Sequence, residues 1–344
     1  MYTKICSRFI VLLTAFSTGA CAGCTLAIED ATSWGIQWET ATADSRLITS
    51  IFKKECKVFP VPEANMAYVL TSARALYRIK EKSIGILEVE EVTGGVSFTH
   101  AFAIGKTLYV ASADGGALSI GPLDKASNLK KLWLNSSSLR SASSIQWYNY
   151  AIETCGTITI GGAKRALIVM KHHSNGRRGL LYSPERELEP LALPIPIYKA
   201  KIDGILSTPQ AILIGVHNKV HAAIVPYSVP EGLLRDVKAS GIAIGAKITI
   251  KDALPKTLFG LTAQDLPNEK KNIIAVRPMN GAPKFYYLTP QKTVEEATGL
   301  PEGSDRIDKA LVLPLEKSVY VIGKTGKQSS LCYHGVLKRL STKH

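Results

Sequence analysis

Short alternating apolar runs dominate this chain, and they come in pairs. In "MAYVLTSARALYRIK" (from Met66), "TLYVASADGGALSIGPL" (from Thr107) and "RALIVMKHHSNGRRGLLYSPE" (from Arg165), two β-rich runs flank a tight polar tip. The arrangement returns in "AILIGVHNKVHAAIVPYS" (from Ala211), "NIIAVRPMNGAPKFYYLTP" (from Asn272) and "SVYVIGKTGKQSSLCYHGV" (from Ser318). Apolar–polar alternation around a glycine- or asparagine-bearing tip is the signature of a β-hairpin. Asn175-Gly176 carries it most plainly, because both residues tolerate positive φ. The hairpins recur about every 50 residues, a period in the propeller and solenoid range.

Each hairpin has further strand-like flanks. Upstream lie "VSFTHAFAIG", "IQWYNYAIET", "YKAKIDGILS" and "DRIDKALVLP", and downstream lie "IGILEVEEV", "LKKLWL" and "LEPLAL". Four strands per unit and six units predict an all-β fold, a six-bladed β-propeller, with seven blades as the alternative count. The resemblance is to an architecture: WD dipeptides and the Asp-box of sialidases are both missing. The seventh unit would have to come from residues 25–60, where "ATSWGIQWETA" reads as a strand that closes the ring against the last unit. The expected division is a signal peptide over 1–23, a tether and ring-closing strand over 24–60, and the propeller over 61–344. Helical periodicity is confined to "EGLLRDVKA" (231–239), where one short helix competes with an outer strand. A membrane barrel needs strands of about ten residues with a lipid-facing band, which these runs lack.

The N-terminus changes the picture of where the chain works. Lys4 and Arg8 precede an apolar run from Phe9 to Phe16, and small residues follow, which is the layout of an export signal. Ala22-Gly23-Cys24, preceded by Gly19-Ala20-Cys21, resembles the lipobox of bacterial lipoproteins. That resemblance implies cleavage before Cys24, with Cys21 as the alternative, and a diacylglycerol anchor on the new N-terminal cysteine. The expectation is a lipoprotein facing the periplasm or the cell surface. Ala20-Cys21-Ala22 also fits ordinary secretion of a soluble protein. Cys56, Cys155 and Cys332 follow, without C-x-x-C spacing, so a structural zinc is not expected and no cofactor is called for.

Charge turns the fold into a functional expectation. The net charge is +14 and 20% of residues are charged, a balance that favours anionic partners without bearing on fold. Read together, the hairpin tips carry Arg74, Lys171, His172, His173, Arg177, Arg178, Lys219, Arg277, Lys284, Lys324 and Lys327, with His217 and His221 beside them and Asp114 as the acid among them. Second-to-third-strand hairpins of a propeller share one face, so these residues are the candidate ligand-binding set. Arginine suits bidentate contacts to phosphate, sulfate or carboxylate. The expected partner is an anionic envelope ligand: an acidic glycan, a lipid headgroup or an acidic protein surface. Nucleic acid is disfavoured, because stacking aromatics do not interleave these tips. "GKTGKQSS" (323–330) has the letters of a phosphate loop but sits between strands, without the helix that such a loop feeds.

Catalysis is the competing expectation. His100 in "FTHAFAI", Asp203 in "KIDGILS" and Asp308 in "RIDKALVL" occupy similar places before an apolar stretch. Two carboxylates and a histidine at a channel mouth would equip a hydrolase or lyase for acidic polysaccharide. An Asp at a strand's start equally serves as a turn acceptor. Binding is preferred over catalysis.

Overall fold

The structure, a computed structural model, describes residues 34–92, 98–134, 150–160, 162–172, 176–191, 201–207, 212–217, 222–227, 248–250, 255–262, 270–276, 281–288, 294–297, 299–326 and 329–339. The signal-like N-terminus, Cys21, Cys24 and the 231–239 segment lie outside them. Among the described residues no helix is long and apolar enough to cross a membrane.

The chain begins with β1 (Trp34–Thr40), β2 (Thr42–Ala43) and helix α1 (Ser45–Phe52). The first hairpin unit is β3 (Cys56–Val61), β4 (Met66–Thr71), β5 (Leu76–Ser83) and β6 (Ile86–Val92), so it begins upstream of the residue-61 boundary read from sequence. The second is β7 (His100–Ile104), β8 (Thr107–Asp114), β9 (Ala117–Pro122) and β10 (Lys130–Trp133). The third is β11 (Tyr150–Ile160), β12 (Ala163–His172), β13 (Arg177–Ser183) and β14 (Arg186–Leu191). The fourth is β15 (Lys201–Ser207), β16 (Ile212–His217), β17 (Ala222–Tyr227) and β18 (Ile248–Ile250). The fifth is β19 (Pro255–Thr262), β20 (Lys270–Val276), β21 (Lys284–Leu288) and β22 (Val294–Glu296). The last unit supplies β23 (Lys309–Pro314), β24 (Ser318–Thr325) and β25 (Ser329–Arg339).

Among the described residues these strands pair into six sheets, each an antiparallel meander, with β2 added parallel to the edge of the first. The sixth sheet takes its fourth strand from the other end of the chain: β1 pairs with β25 from Trp34↔Arg339 to Thr40↔Tyr333. The first strands of successive units neighbour one another from β3 through β23, and β23 returns to β3. Radially repeated four-stranded meanders around a common centre make an all-β propeller.

Alternation along the strands explains the packing. Every second residue of β4 is buried, and the buried sets of adjacent sheets meet in shared clusters. Val61 and Leu76 of the first sheet pack with Ala101, Leu108 and Val110 of the second. Phe102, Leu118 and Ile120 of the second pack with Ile152, Ile168 and Met170 of the third. Leu311, Leu313 and Tyr320 of the sixth pack with Ala67, Val69 and Ile79 of the first. Helix α1, which the sequence pattern did not reveal, lays Ile48, Ile51 and Phe52 onto this last cluster. Asp44 caps it, accepting hydrogen bonds from the Arg46 and Leu47 backbone N–H groups at 2.9 and 3.5 Å.

Gly335 shows how closely β1 is seated. A Cβ at residue 335 would lie 2.6 Å from both Ile36 Cγ2 and Trp38 Cζ3. Trp38 goes on to pack its ring 5.1 Å from that of Phe285 in the fifth sheet. Gly335→Ala is expected to cost about 1–3 kcal/mol by overpacking this seam. Equilibrium urea unfolding checks it, and an unchanged midpoint would mean that β1 is not held there.

Candidate functional site

Antiparallel meanders fix which loops share an end. In each sheet the second-to-third-strand connection lies at the end where the first strand starts: 71–76, 114–117, 172–177, 217–222, 276–284 and 325–329. These are the hairpin tips singled out by the sequence. His173, Lys219, His221, Arg277 and Lys327 lie outside the described residues.

Several tip cations are presented to solvent. Arg74 is exposed on a fixed loop: its φ is +62°, and its N–H donates to the Thr71 carbonyl at 2.9 Å. The buried Thr71 hydroxyl tightens that loop by accepting from the Ala75 N–H at 3.2 Å. Lys171, Arg178 and Lys284 are exposed and Lys324 is half-buried. In the third sheet Lys171 pairs with Arg177 and the His172 N–H reaches the Gly176 carbonyl at 2.8 Å. Asn175 of the expected Asn-Gly turn lies outside the described residues. His172 packs its ring 4.9 Å from Tyr150 at the start of β11.

Arg177 departs from the expected set. Its guanidinium is buried and forms an ion pair with Glu153, with Nε to one carboxylate oxygen and Nη2 to the other at 2.7 Å. The pair has two parallel N–H···O contacts, the strongest geometry available to arginine and carboxylate. Glu153 sits at a β-bulge: Ile152 pairs with Met170 and Thr154 with Val169, leaving 153 unpaired. Arg177 therefore ties β13 to β11, while Arg178, one residue on, points from the other face of the strand. Arg165, also buried, is held in the same sheet by Glu189 at 2.9 Å.

The candidate catalytic residues take separate roles. Asp308 is exposed, and its Oδ2 accepts from the Gly326 N–H at 2.9 Å, so it organises the β24–β25 tip as a turn acceptor. Asp203 occupies the bulge of β15, between Ile202↔Val216 and Gly204↔Gly215, as Glu153 does in β11. His100 begins β7 with Nδ1 2.9 Å from Thr99 Oγ1 and Nε2 3.3 Å from the Glu153 carbonyl oxygen. Those partners suit a neutral ring that donates from Nε2. Burial, reinforced by the charge of Lys57, lowers the His100 pKa to about 4 against the carbonyl's opposing pull. His100 is thus neutral at pH 7, while the Asp308 carboxylate is engaged by the Gly326 N–H.

Thiol chemistry is also muted. Cys155 donates to the Ala101 carbonyl at 3.3 Å, and burial pushes its thiol up to about 12, as it does for Cys332. Among the described residues no cluster of three or more His, Cys, Asp or Glu could hold a metal ion.

No family model matches this chain, and neither does any curated protein. Solved structures are similar in shape at low identity. AofleA from Arthrobotrys oligospora is 11% identical over 91% of each chain, with a TM-score of 0.46. A variant of the Aleuria aurantia lectin, in complex with alpha-methyl-L-fucoside, is 10% identical over 84% of this chain and 91% of the lectin, with a TM-score of 0.47. A neuraminidase-like protein of A/flat-faced bat/Peru is 9% identical over 89% of this chain and 93% of its own, with a TM-score of 0.43. With TM-scores below 0.5, these likenesses add nothing to what the sheet pairing of the chain itself establishes.

Two outcomes follow from the site geometry. Arg177→Ala leaves the Glu153 carboxylate buried and unpaired and should cost about 3–5 kcal/mol in urea unfolding, whereas Arg178→Ala should stay within about 0.5 kcal/mol. Equal effects would contradict the separation of roles. For His100, the folded pKa of about 4 lies below the ordinary 6.5. Its contribution to stability is therefore complete above pH 6.5 and is lost as pH falls toward 4. The NMR titration of His100 should have its midpoint near 4, and His100→Gln should flatten the stability profile across that window. A midpoint near 6.5 would contradict the burial argument.

Proposed function

We propose that the chain is an exported six-bladed propeller that binds an acidic glycan of the cell envelope on its cationic loop face. The observation that carries this reading is the register. All six tips fall at the corresponding end of their sheets, and Arg74, Lys171, Arg178 and Lys284 are exposed there. Their summed field raises the local concentration of a polyanion, and the two arginines add bidentate contacts to carboxylate or sulfate. Six sheets with first strands returning from β23 to β3 support the count of six blades. Lys4, Arg8, the apolar run and Ala22-Gly23-Cys24 support export with a lipid on Cys24, and hence an anchored protein at the envelope.

Arg177 has no place in the contact set, because Glu153 already holds it. The hydrolase reading loses ground for a similar reason: the Asp308 carboxylate is engaged by its own turn.

The test is binding of a carboxylated or sulfated polysaccharide by the mature protein at two salt concentrations. Wild type should lose affinity steeply with salt, and Arg74→Glu/Arg178→Glu should bind at least about tenfold more weakly at low salt with unchanged unfolding. Equal affinity of the double variant would refute the face. Mass spectrometry of the mature N-terminus should find diacylglycerol on Cys24; an unmodified terminus would refute the anchor.

A further inference from the structure

Among the described residues, His334 Nδ1 is the one buried side-chain nitrogen or oxygen without a hydrogen-bond partner. His334 is 4% exposed and sits in the strand that closes the propeller. Register defines its neighbours. It is opposed by Tyr320 of β24 on one side and by Glu39 of β1 on the other, and Tyr320 is opposed in turn by Leu313 of β23. Directly opposed residues project from the same side of a sheet, so these four form one row across the sixth sheet. Leu313 and Tyr320 pack with Ala67, Val69 and Ile79, which places the row against the first sheet. The Tyr320 hydroxyl is committed elsewhere: it donates to Glu81 at 2.5 Å and accepts from the Gly85 N–H at 2.9 Å. Its ring centroid lies 4.8 Å from that of the imidazole. Cys332, two residues along β25 on the same side, is a neutral thiol, because burial pushes it up to about 12. Helix α1 brings Ile48, Ile51 and Phe52 to the same cluster. The charges that act on His334 are the carboxylates of Glu81 and Glu39.

We infer that His334 is an acid-sensitive latch: when its ring takes up a proton, β1 separates from β25 while the other sheets stay paired. A proton on the buried ring adds a charge and an N–H at a place that offers Nδ1 no acceptor, and both are costly away from water. Glu81 and Glu39 favour the protonated ring, but burial is the larger effect and lowers the His334 pKa from the ordinary 6.5. Once the strand is released, the imidazole meets water and binds the proton more readily. Closure is therefore fully supported above pH 6.5 and weakens as pH falls through the lowered value. β1 is the element that yields. It is the edge strand of its sheet, paired on one side, and is seven residues long. The side that it turns toward the His334 row carries Gln37 and Glu39, both exposed, so its departure admits water there without uncovering apolar residues of its own. Ile36 and Trp38 on its other side set the resistance that the proton has to overcome. An edge element of this kind opens with a free energy of its own, below that of global unfolding. Release leaves the β25 edge free to accept another strand.

The latch concerns closure rather than the cationic tips, so it stands or falls independently of the glycan reading. Hydrogen–deuterium exchange of the mature chain, corrected for the intrinsic pH dependence of amide exchange, tests it. Between about pH 7.5 and about pH 4.5, protection of residues 36–40 and 333–337 should fall at least about tenfold more than that of β8 and β12, and should return on neutralisation. His334→Phe fills the site with a ring that does not titrate and should keep its neutral-pH protection in acid. His334→Gln gives the same readout should the phenylalanine variant fail to fold. His100 also titrates in acid, but it lies in the second sheet, so His100→Gln should leave the response of β1 intact. Four results would each overturn the latch: protection of β1 that does not change with pH, an equal acid response in wild type and His334→Gln, loss of the response in His100→Gln, or loss of protection in every sheet at once.

Discussion

The pairing of β1 with β25 is the constraint on which the rest depends. The last unit supplies three strands of its own sheet, and the fourth arrives from the beginning of the chain. Without it, β25 would present an unpaired edge, and Tyr333 and Leu337 would lose the cover of Ile36 and Trp38. Burying one such side chain contributes about 1.5–3 kcal/mol. The seam is also where polar groups are committed. Tyr320 is fully buried, donates to Glu81 at 2.5 Å and accepts from the Gly85 N–H at 2.9 Å, joining the sixth sheet to the first. Burial and the Glu81 bond together raise its pKa, so it stays a phenol donor.

Closure matters for function because it converts a repeated sequence into a surface. A hairpin tip by itself says nothing about its neighbours. Once the first strands form a closed series, every second-to-third-strand tip is delivered to one end. The polypeptide then needs only one decision per residue: which side of the strand a side chain takes. At Arg177 and Arg178 that decision separates a buried tie from a presented cation. Glu153, at the bulge of β11, holds Arg177 across the intervening strand.

Most of the architecture was legible in the amino-acid sequence. The hairpin units, the first strands of the second, third, fourth and sixth units, and several outer strands follow from alternation and turn residues, because these signals are local. Helix α1 escaped because it makes barely two turns, too few for a period of 3.6 to register, although Ile48, Ile51 and Phe52 bear it. The strand Cys56–Val61 was obscured by Pro60, which reads as a break but is accepted in the first strand of this sheet. At the site, exposed Arg74, Arg178 and Lys284 could be placed from hairpin logic alone. The Arg177–Glu153 pair could not, since it joins residues 24 apart through a bulge that no pattern announces.

The most direct measurement of the central claim is lysine acetylation of the full mature chain, read residue by residue with and without a bound sulfated polysaccharide. Lys171, Lys284 and Lys324 belong to tips of three different sheets, whereas Lys82 and Lys106 lie at the opposite strand ends. The account predicts that the first three are protected together and that Lys82 and Lys106 react at the unbound rate. Protection distributed over both groups, or confined to the second, would contradict a closed ring that gathers its cationic tips on one face.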